Sequence, residues 1–191
     1  MSKGRMEAFS DGVIAVIITI MVLEMKSPRG TSLAALRPLV PVFLSYVLSF
    51  VNVGIYWNNH HHLFHAVQHV EGGVLWANLH LLFWLSLIPF ASAWMGENFA
   101  AWPVALYGVV LLLAAIAYFL LTRRLIAHHG KGSKLAESIG DDKKGRASMV
   151  VYAVAIPLAF VQPWIPCACY AVVAVMWLVP DPRIERTLEQ Q

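Results

Sequence analysis

His61, His65 and His69 recur at every fourth residue, so on a helix their imidazoles share one face, as a metal site requires. They belong to a run that also holds His60 and His62. No carboxylate accompanies them at ligand spacing, which favours hydrogen bonding at a polar helix end over metal coordination. A second chemical feature lies near the N-terminus, where Asp11 stands directly before an apolar run, Gly12 to Leu23, whose single hydroxyl is Thr19. A carboxylate near membrane depth is costly and needs a partner, which marks it as functional by default. Arg5, Ser10, Asn78 and His80 can join it in one network, with an imidazole as its expected partner. Cys167 and Cys169 supply half a zinc site at most and read as packing residues. No resident cofactor is expected.

Helices must position these groups. The Gly12 to Leu23 run is about 18 Å long as a helix, short of the roughly 30 Å hydrocarbon core, so it spans only if Arg5 to Asp11 is also helical. At about 100° per residue, Gly12, Val16, Thr19 and Leu23 form one stripe, Ser10 points away from it, and Asp11 lies on the flank.

Composition sets the class. Hydrophobic residues make up 59% and charged residues 13% of the 191 residues, against roughly 45–50% and about 25% in soluble proteins. The expectation is an all-α integral membrane protein, one domain of six transmembrane helices over approximately 5–25, 39–58, 74–95, 102–122, 148–162 and 165–179. The formal charge of +3 does not point to nucleic acid, because no basic patch interleaved with aromatics exists. The partner of such a chain is the lipid bilayer.

The second span carries a polar stripe, Ser45, Ser49, Asn52, Tyr56 and Asn59, which must face protein and reads as glue between helices. Pro89, with Ser86 and Ser92, suggests a kink in the third. The fourth has no ionisable residue and reads as lipid-facing scaffold, with Trp102 and Tyr118 at interfacial positions. The last two spans are short and read as a tight hairpin. Lys3, Arg5, the basic residues from Arg123 to Arg146, Arg183 and Arg186 fall on the side of the N-terminus, against Lys26, Arg29 and Arg37 on the other. That asymmetry places both termini in the cytoplasm of a multi-pass cell-membrane protein.

The heptapeptide Arg5-x-x-x-Phe9-Ser10-Asp11, with the Gly12-Val13-Ile14-Ala15 and Thr19 helix behind it, resembles the signature of the transmembrane protein 175 family, potassium channels of endosomes and lysosomes with single-repeat bacterial homologues. The likeness continues in Ser45-Tyr46, in Tyr56-Trp57-x-x-His60-His61, in Leu87-Ile88-Pro89-Phe90 with Gly96-Glu97, and in Trp177-Leu178-Val179-Pro180-Asp181. It implies a homotetramer whose four first helices surround a central pore. Val16 and Leu23 then match apolar constriction positions, Ile20 a nearby one, and Thr19 the hydroxyl layer associated with potassium preference. Arg5, Phe9, Ser10, Asp11, His60, His61, Asn78 and His80 form the structural network of that motif. The chain has no T-V-G-Y-G, so the carbonyl-cage filter is absent. The implied function is a potassium-selective channel with a narrow apolar, hydrophobic gate, potassium ions as permeant species and no enzymatic activity. The alternatives are a histidine-based membrane metalloprotein or enzyme, and a proton-coupled carrier built on Asp11 and the histidines.

Overall fold

The computed structural model describes residues 2–65, 67, 70–129 and 142–178. Helix α1 covers Lys3–Leu23; a short 3-10 helix, Leu33–Leu39, leads into α2, Val40–His65. Helices α3, Gly72–Ser86, and α4, Ile88–Glu97, follow one another across a break at Leu87, and α5 covers Ala101–His129. A final pair, α6 over Lys143–Leu158 and α7 over Trp164–Leu178, completes the described chain. Lys3–Leu23, Leu33–His65, Gly72–Glu97 and Ala101–His128 are long and apolar enough to cross a membrane. The protein is an all-helical integral membrane protein.

Local chemistry explains the boundaries. No proline interrupts α1, and its two glycines do not stop it because apolar neighbours on one face pack into the bundle. Beyond it the chain turns through Pro28 and Gly30, whose φ of 127° is a conformation that favours glycine. The α3–α4 break has the expected cause. Pro89 has no N–H to offer the preceding turn, and the helix tightens there, with Ser86 Oγ donating to the Phe83 carbonyl at 2.7 Å and the Leu87 N–H to that of Trp84 at 3.2 Å. One membrane span thus has two axes: α3 packs chiefly on α5 and α1, while α4 packs on α2 and α5.

Helix α5 differs from the expectation of a lipid-facing scaffold. Val104, Tyr107, Leu111, Ala114, Ala117 and Leu121 along it are fully buried, and it packs on α3, α4 and α6. Small residues bring the neighbours close. A Cβ at Gly108 would collide with the Tyr170 hydroxyl, which donates to the Val104 carbonyl at 3.2 Å. Gly108→Ala should therefore cost about 1–3 kcal/mol through overpacking, seen as a lower melting temperature of the purified protein. Tyr118 also packs inward, its hydroxyl donating to the Asn59 carbonyl at 3.2 Å.

The polar stripe of α2 faces protein. Ser92 Oγ donates to the Ser45 carbonyl at 3.1 Å, so Ser49 Oγ donates to Ser92 Oγ at 2.8 Å and accepts from the Tyr107 hydroxyl at 3.0 Å. This chain of hydroxyls ties α2, α4 and α5 together where every member is satisfied.

Candidate functional site: the two faces of the first helix

One side of α1, Met6, Ser10, Ile14, Ile17 and Met21, is buried in the bundle. The opposite side is uncovered: Gly12 and Thr19 are exposed, and Phe9, Val16, Ile20 and Leu23 retain 50%, 54%, 41% and 80% of their accessible surface. The division follows the 3.6-residue period, and Ser10 points away from the Gly12, Val16, Thr19 and Leu23 stripe. Thr19 Oγ1 lies 3.1 Å from the Ala15 carbonyl and 3.0 Å from that of Val16. Its proton is thereby spent on its own helix, and the oxygen lone pairs are left on the uncovered side.

On the buried side a directed chain of hydrogen bonds anchors α1. Ser10 Oγ donates to the Met6 carbonyl at 2.9 Å, and Asn78 Nδ2 donates to Ser10 Oγ at 2.9 Å. The Asn78 carbonyl oxygen is then the acceptor that meets His60 Nε2 at 2.8 Å. That oxygen has no proton to give, so His60 must carry its proton on Nε2. The imidazole rests against the Phe64 ring, with centroids 4.5 Å apart. Ser10, Asn78 and His60 are all buried. Three helices, α1, α2 and α3, are thus locked at one end by a single line of polar atoms.

The other residues of the expected network lie outside this line. Asp11 is exposed rather than buried, and its partner is neither a histidine nor an asparagine: Trp57 Nε1 donates to Asp11 Oδ1 at 3.1 Å. An indole N–H is donor-only, so it meets a carboxylate without contributing charge. Trp57 in turn stacks on His61, centroids 6.3 Å apart and planes 25° apart. The signal for Trp57 was available in the sequence, one turn before His61. His80 is a correction: it is exposed and accepts from Trp84 Nε1 at 2.9 Å, away from Asn78. Arg5 and Phe9 are exposed on α1. Among the described residues no group of three or more His, Cys, Asp or Glu side chains could hold a metal ion; His69 lies outside them.

At the far end of α1, Lys26 Nζ meets Glu97 Oε1 at 2.9 Å and ties the helix exit to the end of α4. Glu24 beside it titrates above the ordinary carboxylate range, through partial burial first and the Glu97 charge second. Its proton is held more tightly in the folded protein than in the unfolded chain, so ionisation opposes folding as pH rises through that range. Glu24→Gln should accordingly raise the melting temperature slightly near pH 7 and leave it unchanged below about pH 4, where both states are protonated.

An apolar helical bundle that leaves one face of its first helix uncovered is a membrane-protein subunit with a surface open to lipid or to another copy. A family model described as the endosomal/lysosomal potassium channel TMEM175 matches residues 5–89. A potassium channel of Chryseobacterium sp. (strain P1-3) is 54% identical over 191 residues, covering 100% of both chains. A potassium channel of Streptomyces collinus (strain DSM 40733 / Tue 365) is 30% identical, covering 92% of this chain and 91% of its own. The crystal structure of a lysosomal potassium-selective channel TMEM175 homolog from Chamaesiphon minutus superposes with a TM-score of 0.81 at 28% identity, covering 93% of this chain and 96% of that one. The chain belongs to the TMEM175 family of channels.

Proposed function

We propose that four copies of this chain assemble around the uncovered face of α1 and conduct potassium ions along the axis, in the cell membrane with both termini cytoplasmic. The observation that carries the reading is the division of α1, because the side that no described helix of the subunit covers bears Gly12, Val16, Thr19 and Leu23. The relatives' names supply potassium as the ion. Closed cyclic symmetry would turn each residue into a ring. Rings of Val16 and Leu23 close an apolar passage by dewetting, with Ile20 on the flank. A Thr19 ring presents oxygen acceptors to a partly stripped ion, and potassium sheds water more readily than sodium, so a narrow, weakly polar layer favours it. The absence of T-V-G-Y-G leaves selectivity to this layer. Arg5, Phe9 and Asp11, exposed on the subunit, serve contacts between copies. Arg5→Ala should reduce the oligomer fraction in detergent light scattering more than it changes ion preference. The whole reading is tested by potassium and sodium flux into proteoliposomes beside the oligomer mass: potassium-selective flux by a tetramer is expected, and a monomer or an impermeable assembly would overturn it.

A further inference from the structure

A cavity of about 40 Å³ lies between α2, α5, α6 and α7, and its lining comes from those helices rather than from α1. Its walls are largely aromatic: Tyr56, Tyr118, Phe119, Tyr152 and Trp177. Asp142, Asn59 and Ser148 supply the polar groups that matter for a ligand.

Most of the N–H and O–H groups around it are already spent, and oxygen atoms able to accept remain. Asn59 Nδ2 donates to the Ile55 carbonyl at 2.8 Å. The Tyr118 hydroxyl is spent on the Asn59 carbonyl, Trp177 Nε1 donates to Ser148 Oγ at 2.9 Å, and Ser148 Oγ donates to the Lys144 carbonyl at 2.8 Å. Among the described residues there remain the side-chain oxygen of Asn59, the hydroxyl of Tyr56 and the second oxygen of Asp142, whose Oδ1 accepts the Gly145 N–H at 3.0 Å. Tyr152, only 3% exposed, lines the same space, and its hydroxyl has no hydrogen-bond partner among the described residues. Burial holds the Asp142 carboxyl above its ordinary range, with the Gly145 N–H and the Arg146 charge working against that shift.

We propose that this cavity binds a small primary ammonium ion, either free in solution or as the ethanolamine headgroup of a phospholipid. An ammonium group brings three donors and no acceptor, and the oxygens of Asn59, Asp142, Tyr56 and Tyr152 can each accept one. Its charge is met by Asp142, which it shares with Arg146, and by the faces of the surrounding rings. The space admits roughly three water-sized groups, which suits an ethylammonium-sized ion and excludes a bulky quaternary one.

The test is equilibrium binding of radiolabelled ethanolamine to the full-length purified protein. Saturable binding at one site per chain is expected. Asp142→Asn keeps a good helix N-cap while removing the charge, so it should fold normally and bind roughly tenfold more weakly or worse. Tyr152→Phe, which removes only a hydroxyl, should weaken binding several-fold and carries the test if the first variant misfolds. No saturable binding would overturn the proposal, as would unchanged affinity in a well-folded Asp142→Asn. So would a stoichiometry far below one per chain, which would put the ligand on an axis shared by subunits. Nanodiscs identify the source. Loss of ethanolamine binding in phosphatidylethanolamine discs but not in phosphatidylglycerol discs assigns the site to the lipid headgroup, and binding retained in both assigns it to the free amine.

Discussion

Thr19→Ala in proteoliposomes should lower the potassium-over-sodium preference roughly tenfold, equivalent to about 1.4 kcal/mol of discrimination. The variant removes the only hydroxyl from the uncovered stripe of α1. It leaves the helix itself intact, since alanine is the best helix former and Thr19 bonds only to carbonyls of its own helix. Oligomer mass should not change. The proposed role would fail if flux through a wild-type-sized assembly kept its ion ratio.

Asn78→Leu should be the most destabilising single change at the site, at about 3 kcal/mol. The substitution strands the buried His60 Nε2–H without an acceptor and deprives Ser10 Oγ of its donor, and an unsatisfied buried donor costs about 1–3 kcal/mol before any packing term. Ser10→Ala should cost less, because it strands one Asn78 N–H but keeps the Asn78–His60 bond and scarcely changes the packed volume. Melting curves of the two variants and their combination decide it. A combined loss equal to the sum of the single losses would mean that the line from His60 to Met6 is not coupled.

The sequence carried the helical class, the two faces of α1 and the Pro89 break, because each rests on local rules: hydropathy, the 3.6-residue period, and the missing N–H of proline. It also brought Ser10, His60 and Asn78 to the same end of the bundle, where the structure joins them. It failed where the choice was between protein and lipid. An apolar helix face looks the same against either solvent, so α5 read as scaffold although its Ala105, Ala114 and Ala117 are buried in the bundle. The signal was side-chain size rather than polarity. Asp11 departs from expectation for a related reason: the wheel places it on a flank, and depth alone does not reveal the indole one helix away that donates to it.

The α6–α7 hairpin has a consequence for how the subunit is made. Its helices, of 16 and 15 residues, pack on α5 and α2, which bring Tyr118 and Asn59 to the lining that the hairpin completes with Tyr152 and Trp177. Neither has the length that a lone helix needs to cross a bilayer, so the place of the hairpin is set by the surface that α5 and α2 present to it. A nascent chain ending after α5 would leave the Asn52 and Asn59 side of α2 without the cover that Tyr152 and Trp177 give it, a polar seam that closes only when the last two helices arrive.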